Sequence, residues 1–453
     1  MERSHSVKNR VLFVVFAGVF AVCAAVFGYA AWKILKRPRV GSGVAGRVSR
    51  DAVLVANIDL RQVRGWQPAI TLQERLSRPG DGASEMQREV ARRYTEFRQN
   101  CGFDPWQKVD TMTMGVERSV LAATDASSVV TFLDGTYAQA DAERCIRWIA
   151  REANRTIATS TVAGRTVLTP SRQSDNASEH PPQFTLLPGS TMVTDDRYTA
   201  RALGVLDGNT PSLGAAAPLT QMMSRLGATT FVSIAADLAE FRARQAHTID
   251  GYIDEIVRQN PNAPDLALLR QARIGGLGLA VDNNALAVSV RVEEPSAGDA
   301  QRLTTACTTV LQARRPQLLE ALQNAKQSQG MMRITLGVLG NMAERFDRID
   351  AAFNAAEQVV NQLACRGAAQ DAMLAVSITQ PQLTSLQNGV TAFGEIMAEA
   401  SRLNPLGGLL GGGGLGGAGG GFGGAPGGPL LDRGAPEQPG SGSTAPTPPV
   451  PTL

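Results

Sequence analysis

The hydrophobic pattern of the chain begins with one long apolar run. The 22 residues from Val11 to Trp32 carry no charge, and Arg10 and Lys33 flank them. At 1.5 Å per residue a helix of this length spans about 33 Å, enough for the hydrocarbon of a bilayer. The pattern predicts a transmembrane helix at 11–32, between a cytoplasmic N-terminus at 1–10 and a juxtamembrane linker at 33–50. A cleaved signal peptide is the alternative, although its apolar stretch is usually shorter and ends at a cleavage site.

Two later segments repeat one apolar pattern. Residues 53–60 and 231–238 each read as a strand that ends in Asp-Leu, and an arginine follows each within four residues. A helical stretch, two strands and another helix then follow in the same order. This internal similarity predicts an α+β fold: the transmembrane helix, two tandem related α+β units with mainly antiparallel sheets at 51–226 and 227–404, and a disordered tail.

The elements of each unit follow from alternation for strands and from 3.6-residue spacing for helices. In the first unit the predicted strands lie at 53–60, 109–116, 128–135, 155–162, 165–168, 183–187 and 191–194, and the predicted helices lie at 86–98, from Asp141 and from Asp195. In the second unit the predicted strands lie at 231–238, 273–281, 285–293 and 372–378, and the predicted helices lie at 239–259 and from Asp299.

The second unit also carries a helical insertion at 315–365. Its apolar residues have the spacing of a helical hairpin. Such a stripe more often packs within the protein, but the insertion is also the first place to expect contact with an envelope protein or cell-wall partner.

The C-terminal residues 405–453 are mostly glycine, proline, serine and threonine. A segment of this composition buries too little apolar surface to offset the entropy of ordering. It is predicted to be a disordered tail, either a tether or partner-docking segment or an unconstrained terminus.

Charge and composition argue against nucleic-acid binding. The chain has 44 basic and 41 acidic residues, a net charge of +3, and only 5% aromatic residues. Basic clusters occur only beside the apolar run, where they suit lipid headgroups.

Four cysteines lie outside the apolar run: Cys101, Cys145, Cys307 and Cys365. Their even number and wide spacings resemble no zinc pattern and favour disulfides in an oxidising compartment. The duplication suggests Cys101 with Cys145 and Cys307 with Cys365, although four cysteines allow three pairings. Four buried thiols in a cytosolic domain are the alternative.

The orientation of the predicted span rests on these cysteines. Three Arg or Lys residues precede the run and four follow it closely, so the positive-inside rule does not choose. Disulfides favour a large domain in the periplasm or outside the cell. The chain is therefore predicted to be a single-pass protein of the bacterial inner membrane, with the bilayer as its partner through 11–32.

Residues that catalysis needs are scarce. Of the three histidines only His247 lies in a predicted element, and its neighbours suggest a solvated helix face. Gly275 to Gly278 lacks the third glycine of a dinucleotide fingerprint and suits close strand packing or a bulge. The chain has no nucleophile elbow, P-loop, zincin or calcium-loop motif.

Paired carboxylates are the other catalytic possibility. Asp195 with Asp196, or Asp134 with Asp141, could in principle serve as acid and base. Nothing in the sequence raises the pKa of any of them. We therefore predict no catalytic, cofactor-binding or metal-ligating residues and no enzyme activity.

The order of these features resembles a known group. An N-terminal anchor, the strand at 53–60, the step at 162–167, the segment at 187–193 and a second strand ending in Asp237 are similar to uncharacterised, membrane-anchored bacterial envelope proteins with a duplicated α+β module. The resemblance spans about 51–401. It implies an extracytoplasmic, non-catalytic domain and assigns no functional residues.

The sequence thus favours a non-catalytic interaction or scaffold module of the envelope. One alternative is a solute-binding or sensory domain with its ligand between the two units, where clefts are common ligand sites. A hydrolase is the other alternative. Converging polar side chains in a cleft would favour the ligand-binding interpretation, and a closed apolar interface would favour the scaffold.

Overall fold

A computed structural model of the protein describes residues 44–78, 85–118, 129–171, 181–227, 229–282, 284–336 and 342–403. The predicted transmembrane helix at 11–32 and the predicted tail at 405–453 lie outside these residues. Among the helices that are described, none has both the length and the apolar character that crossing a membrane requires.

Twelve strands within the described residues form one antiparallel sheet. Seven come from the first half of the chain: β1 (Ala52–Asp59), β2 (Val109–Glu117), β3 (Val129–Gly135), β4 (Thr156–Val162), β5 (Arg165–Ser171), β6 (Pro182–Leu187) and β7 (Ser190–Asp195). Five come from the second half: β8 (Thr230–Asp237), β9 (Ile274–Asp282), β10 (Ala285–Glu293), β11 (Ala364–Ala368) and β12 (Asp371–Ile378). Their order across the sheet is β11-β12-β10-β9-β8-β1-β2-β3-β7-β6-β5-β4.

Helices connect these strands. They are α1 (Val44–Arg47), α2 (Arg61–Arg64), α3 (Gln67–Ser77), α4 (Glu85–Cys101), α5 (Pro105–Lys108), α6 (Gln139–Glu152), α7 (Thr199–Leu206), α8 (Pro218–Arg225), α9 (Leu238–Gln259), α10 (Ala297–Leu336), α11 (Met342–Gln362) and α12 (Gln380–Leu403). A 3₁₀ helix spans Pro264–Arg270.

The two halves meet where β1 pairs with β8 near the middle of the sheet. Ala56 lies opposite Ile234, and Ile58 lies opposite Val232. The predicted fold class is therefore wrong, because it gave each of two tandem units its own sheet. The protein instead has one large antiparallel sheet with helices, and strands of both predicted units lie in it.

The same element order runs outward from this seam in both halves. The hairpins β2–β3 and β9–β10 lie next to the seam strands on their two sides. In the first half, α6 leads through the additional hairpin β4–β5 to the hairpin β6–β7, and β7 pairs back with β3. In the second half, α10 and α11 lead to the hairpin β11–β12, and β12 pairs back with β10. The repeated pattern in the sequence thus corresponds to two halves of one sheet.

Helix α8 fastens the first half of the chain to the second. Met222 of α8 is fully buried in a core with Val55 of β1 and Ala235 of β8. At the end of the helix, Arg225 pairs with Glu293 of β10 and with Asp371 of β12, the latter at 2.8 Å. The seam therefore has support beyond its own main-chain hydrogen bonds.

The glycines of β9 allow α8 to approach this closely. A Cβ at Gly276 would lie 2.7 Å from Cγ and 2.8 Å from Sδ of Met222. A Cβ at Gly278 would lie 3.3 Å from Cβ of Leu226. Gly276 and Gly278 therefore allow α8 to pack closely on the sheet.

Element boundaries differ from the prediction at several places, among them the starts of α7 and β11. Helix α7 begins at Thr199 rather than Asp195, because Asp195 ends β7 and its carboxylate accepts a 2.9 Å hydrogen bond from the Tyr198 amide. Strand β11 begins at Ala364, inside the predicted helical insertion. Its sequence Ala-Cys-Arg-Gly-Ala has little β-propensity, so its pairing with β12 is a tertiary effect.

Candidate interaction surface

Two disulfides lie in the folded part of the chain, with the pairing that the duplication suggests. Cys101 at the end of α4 bonds to Cys145 of α6, and Cys307 of α10 bonds to Cys365 of β11. Cys101 is fully buried and Cys145 nearly so. The second disulfide fixes the first part of α10 to the edge strand of the sheet.

Beyond this disulfide, α10 continues along α11. The guanidinium of Arg315 donates to the carbonyl of Leu363 at 2.6 Å. Further along, Lys326 donates to Asn354 at 2.8 Å, and Arg333 pairs with Asp347 at 2.8 Å. The two helices therefore run antiparallel as a hairpin.

Helix α12 packs on the same hairpin with its inner face. Ala392 and Ile396 share a buried core with Phe346 of α11. A Cβ at Gly389 would overlap the Cβ of Ala352, so this glycine permits close approach of the two helices. We call residues 315–336, 342–362 and 380–396, which lie in α10, α11 and α12, the helical arm.

Polar contacts fix the register of α12 along α11. Gln382 donates to Gln358 at 2.9 Å, and Arg348 pairs with Glu395 at 3.1 Å. Both contacts lie beside the buried core of the arm. The orientation of α12 about its own axis is thus set from the inner side.

One side of α12 carries four apolar residues, two of them half-buried and two solvent-exposed. Leu383, Leu386, Val390 and Phe393 follow each other at intervals of three, four and three residues. The side chains of Val390 and Phe393 are 74% and 48% exposed. We call these four residues the outer stripe. A three-four repeat of apolar residues on one helix face is the spacing that packs against another helix.

Part of the helical insertion at 315–365, where contact with a partner was predicted, packs within the protein, on the paired helix and on α12. The outer stripe lies just beyond it, on α12. Its spacing was readable in the sequence, but its exposure depends on the packing of the opposite face. Sequence alone could not separate the two faces.

The carboxylate pairs proposed as acid and base have other partners. Asp195 is buried and caps the turn before α7, and Arg197 lies 3.3 Å from its Oδ2. Burial raises the pKa of Asp134, against the opposing effect of Arg47 at 2.9 Å. Asp141 pairs with Arg144 of its own helix at 2.7 Å. These contacts are those of structural ion pairs.

The remaining catalytic candidates are not brought together either. His247 is exposed on α9. Among the described residues, no group of three or more histidine, cysteine or acidic side chains could hold a metal ion.

A small groove between the end of α9 and α10 has a volume of about 210 Å³. Arg314 crosses it, donating to the carbonyl of Gln259 at 2.6 Å and to the side chain of Asn260 at 3.2 Å. Ligand sites for small molecules usually occupy about 300 to 1,000 Å³. The groove is smaller than this, and its charged group already has protein partners.

One buried carboxyl stands apart from these pairs. Glu294, between β10 and α10, is 0% exposed. Neither of its carboxylate oxygens has a hydrogen-bond partner among the residues that the structure describes. Desolvation by burial, with a smaller contribution from Asp299, raises the pKa of Glu294 to about 7, and Arg242 opposes the rise. No pattern in the sequence marks this residue.

Comparisons with known proteins give little beyond this geometry. No protein-family model matches the chain, and no curated protein matches it. Among solved structures, crystal form III of TP0453 is similar at 11% identity with a TM-score of 0.36, covering 77% of this chain and 98% of that chain. Crystal form I of TP0453 is similar at 11% identity with a TM-score of 0.34 and the same coverage. A likeness at this level carries no argument about function.

Proposed function

We propose that the protein is a non-catalytic interaction or scaffold module of the bacterial envelope that works outside the cytoplasm. The observation that carries the proposal is the pairing of β1 with β8. The place between the halves, where a solute-binding protein would hold its ligand, is occupied by main-chain hydrogen bonds and by α8. This arrangement disfavours the ligand-binding alternative.

The disulfides support an extracytoplasmic location. They join cysteines 44 and 58 residues apart in sequence. Because the formation of a disulfide from two thiols is an oxidation, such bonds form and persist mainly in oxidising compartments. In the cytosol, thiol-reducing systems keep most cysteines reduced.

The helical arm is the proposed partner surface. It carries two exposed large apolar side chains close together on one helix, Val390 and Phe393.

Amine-reactive cross-linking in intact cells tests the partner surface. Lys326 is the lysine of the arm, and Lys108, exposed in the first half, is the matched control. We expect intermolecular cross-links at Lys326 in clear excess over Lys108, because a partner on the arm holds its own amines near Lys326. Equal yields at both lysines, or none at either, would contradict the assignment.

Thiol trapping tests the location. Cells are quenched with acid and alkylated before lysis, and the full-length chain is mapped without reduction. We expect linked peptides that contain Cys101 with Cys145 and Cys307 with Cys365. Alkylation of all four thiols would contradict an extracytoplasmic protein.

A further inference from the structure

We infer that the open edge of β4 is a dimerisation site, at which a second copy of this chain pairs its own β4 in antiparallel orientation and so continues the sheet. The inference goes beyond the proposed function, because β4 lies at the opposite end of the sheet from β11 and the helical arm. Among the described strands β4 pairs only with β5. The four residues 158–161 of β4 are all exposed.

The two edges of the sheet are protected very differently. Strand β11 has five residues, is bonded to α10 through the disulfide of Cys365, and its Arg366 carbonyl accepts a 3.4 Å hydrogen bond from Thr304 of α10. Strand β4 has seven residues, Thr-Ile-Ala-Thr-Ser-Thr-Val, with no charge, no proline and no bulge in its register with β5. Folded proteins usually protect an exposed edge, because its unpaired amides and carbonyls otherwise pair with another strand. The unprotected edge of β4 therefore calls for an extended strand as its partner.

The turn between β4 and β5 determines which main-chain groups face the open side. Val162 and Arg165 flank the two-residue turn Ala163-Gly164, whose central residues have φ of 48° and 72°. The pair that flanks such a turn exchanges both hydrogen bonds, and hydrogen-bonded pairs then alternate along the ladder. The even-numbered residues of β4 thus bond to β5. The amides and carbonyls that point to the open side belong to the odd-numbered residues, Ile157, Thr159 and Thr161.

Strand β4 is self-complementary about Thr159. When Thr159 lies opposite Thr159 of the second copy, Ile157 lies opposite Thr161 of that copy, and each of these pairs exchanges both hydrogen bonds. Every contact away from the axis occurs twice, as a two-fold interface requires. Cross-strand pairs of β-branched residues stabilise a sheet, and no like charges face each other in this register.

Charges beside the axis favour a second copy over an unrelated strand. Arg147 of α6 reaches over β4, with its guanidinium 3.5 Å from Oγ1 of Thr159 and 2.6 Å from Oε1 of Glu143. Because Thr159 lies on the axis, the Glu143–Arg147 pairs of the two copies come next to each other. Each arginine then lies near the glutamate of the other copy as well as its own. A strand of unrelated sequence does not supply this complementary arrangement.

Cysteine substitution in the full-length chain tests the register. Thr159→Cys places two thiols on the axis, where opposed Cα atoms lie about 5.5 Å apart and a disulfide fits. Thr161→Cys is the matched control on the same face of β4, because its two copies are offset by four residues, about 14 Å. After mild oxidation and mapping without reduction, we expect the 159–159 cross-link in about tenfold excess over 161–161, since only the first pair lies within disulfide reach. Equal yields, or no cross-link at either position, would overturn the inference.

Sedimentation velocity of the oxidised full-length chain tests the hydrogen bonds. Proline is tolerated on an edge strand where its amide would face outward, so Thr159→Pro removes an intermolecular donor and no bond to β5. We expect the wild type and Thr159→Val to dimerise. The dissociation constant of Thr159→Pro should be at least about tenfold larger, since each copy loses one hydrogen bond. A monomeric wild type, or a proline variant that dimerises equally well, would refute the strand pairing.

Charge reversal tests whether the partner is a second copy. Arg147→Glu leaves β4 unchanged and gathers the carboxylates of both copies around the axis, so we expect the dimer to weaken. Adding Glu143→Arg restores the alternation of charges and should restore the dimer. The control Arg258→Glu on α9, where the side chain is 72% exposed, makes the same change in net charge and should dimerise like the wild type. Equal weakening by Arg147→Glu and Arg258→Glu, or no rescue by the second substitution, would contradict the arrangement.

Discussion

Glu294 makes the stability of the protein depend on pH in a way that can be calculated. The carboxyl is fully buried, and its main-chain amide donates to the carbonyl of Gln370 at 2.9 Å, which holds the residue in place. Its folded-state pKa of about 7 lies above the ordinary value of 4.5 because burial disfavours the charged form. Folding therefore favours the protonated carboxyl.

The direction and size of the effect follow from linkage. Between pH 4.5 and about 7 the folded state binds more protons at Glu294 than the unfolded state, so stability falls as pH rises. The full contribution is present below pH 4.5 and is lost once the pH passes about 7. The pKa difference corresponds to about 3 kcal/mol, an upper figure because water entry would reduce it.

Urea unfolding of the wild type and of Glu294→Gln at pH 5 and pH 8 measures this contribution. The free-energy cost of burying the glutamine amide is the same at pH 5 and pH 8. The difference in stability between the two pH values therefore reports the titration of Glu294 alone. We expect the wild type to lose up to about 3 kcal/mol more than the variant between pH 5 and pH 8. The exposed Glu320→Gln is the control and should follow the wild type. Equal pH dependence of wild type and Glu294→Gln would refute the reasoning.

Two further changes test the packing. Replacing Cys101 and Cys145 by serine should lower the free energy of unfolding by about 4 kcal/mol in denaturant titration, since the disulfide closes a loop of 44 residues; an unchanged midpoint would contradict this. Gly276→Ala should lower the melting temperature through overlap with Met222, at a cost of about 1 to 3 kcal/mol. Gly251→Ala, where a Cβ meets open space on α9, should raise it slightly, and a fall in both variants would point to another cause.

Local structure was largely predictable from the sequence. Alternation located β10, with Leu286, Val288 and Val290 on one face, and the asparagine-rich link before it indicated the hairpin with β9. The duplication indicated the pairing of the cysteines, because it placed them in corresponding parts of the two halves.

The arrangement of the halves was not predictable in the same way. Alternation in β1 and β8 identifies which residues face a core, but not which strand lies beside which. Both strands are apolar enough to be central, and only the register that sets Ala56 opposite Ile234 joins them. The prediction of two separate sheets is wrong because it missed this long-range contact.

The exposure of the candidate surface was likewise not predictable from the sequence. The insertion at 315–365 is rich in apolar residues because α10 packs on α11 and α11 packs on α12. The exposed face, by contrast, belongs to a helix whose inner side is mostly small residues such as Gly389 and Ala392. Exposure is a property of the packed structure, so spacing alone does not reveal it.

Hydrogen exchange of the oxidised full-length chain, followed by mass spectrometry, tests the central claim most directly. If the halves form one sheet, β1 and β8 are inner strands, and peptides covering 52–59 and 230–237 should be among the slowest to exchange and at similar rates. If either peptide exchanged as rapidly as an exposed edge strand, the halves would be separate, and the argument against a ligand site between them would fail.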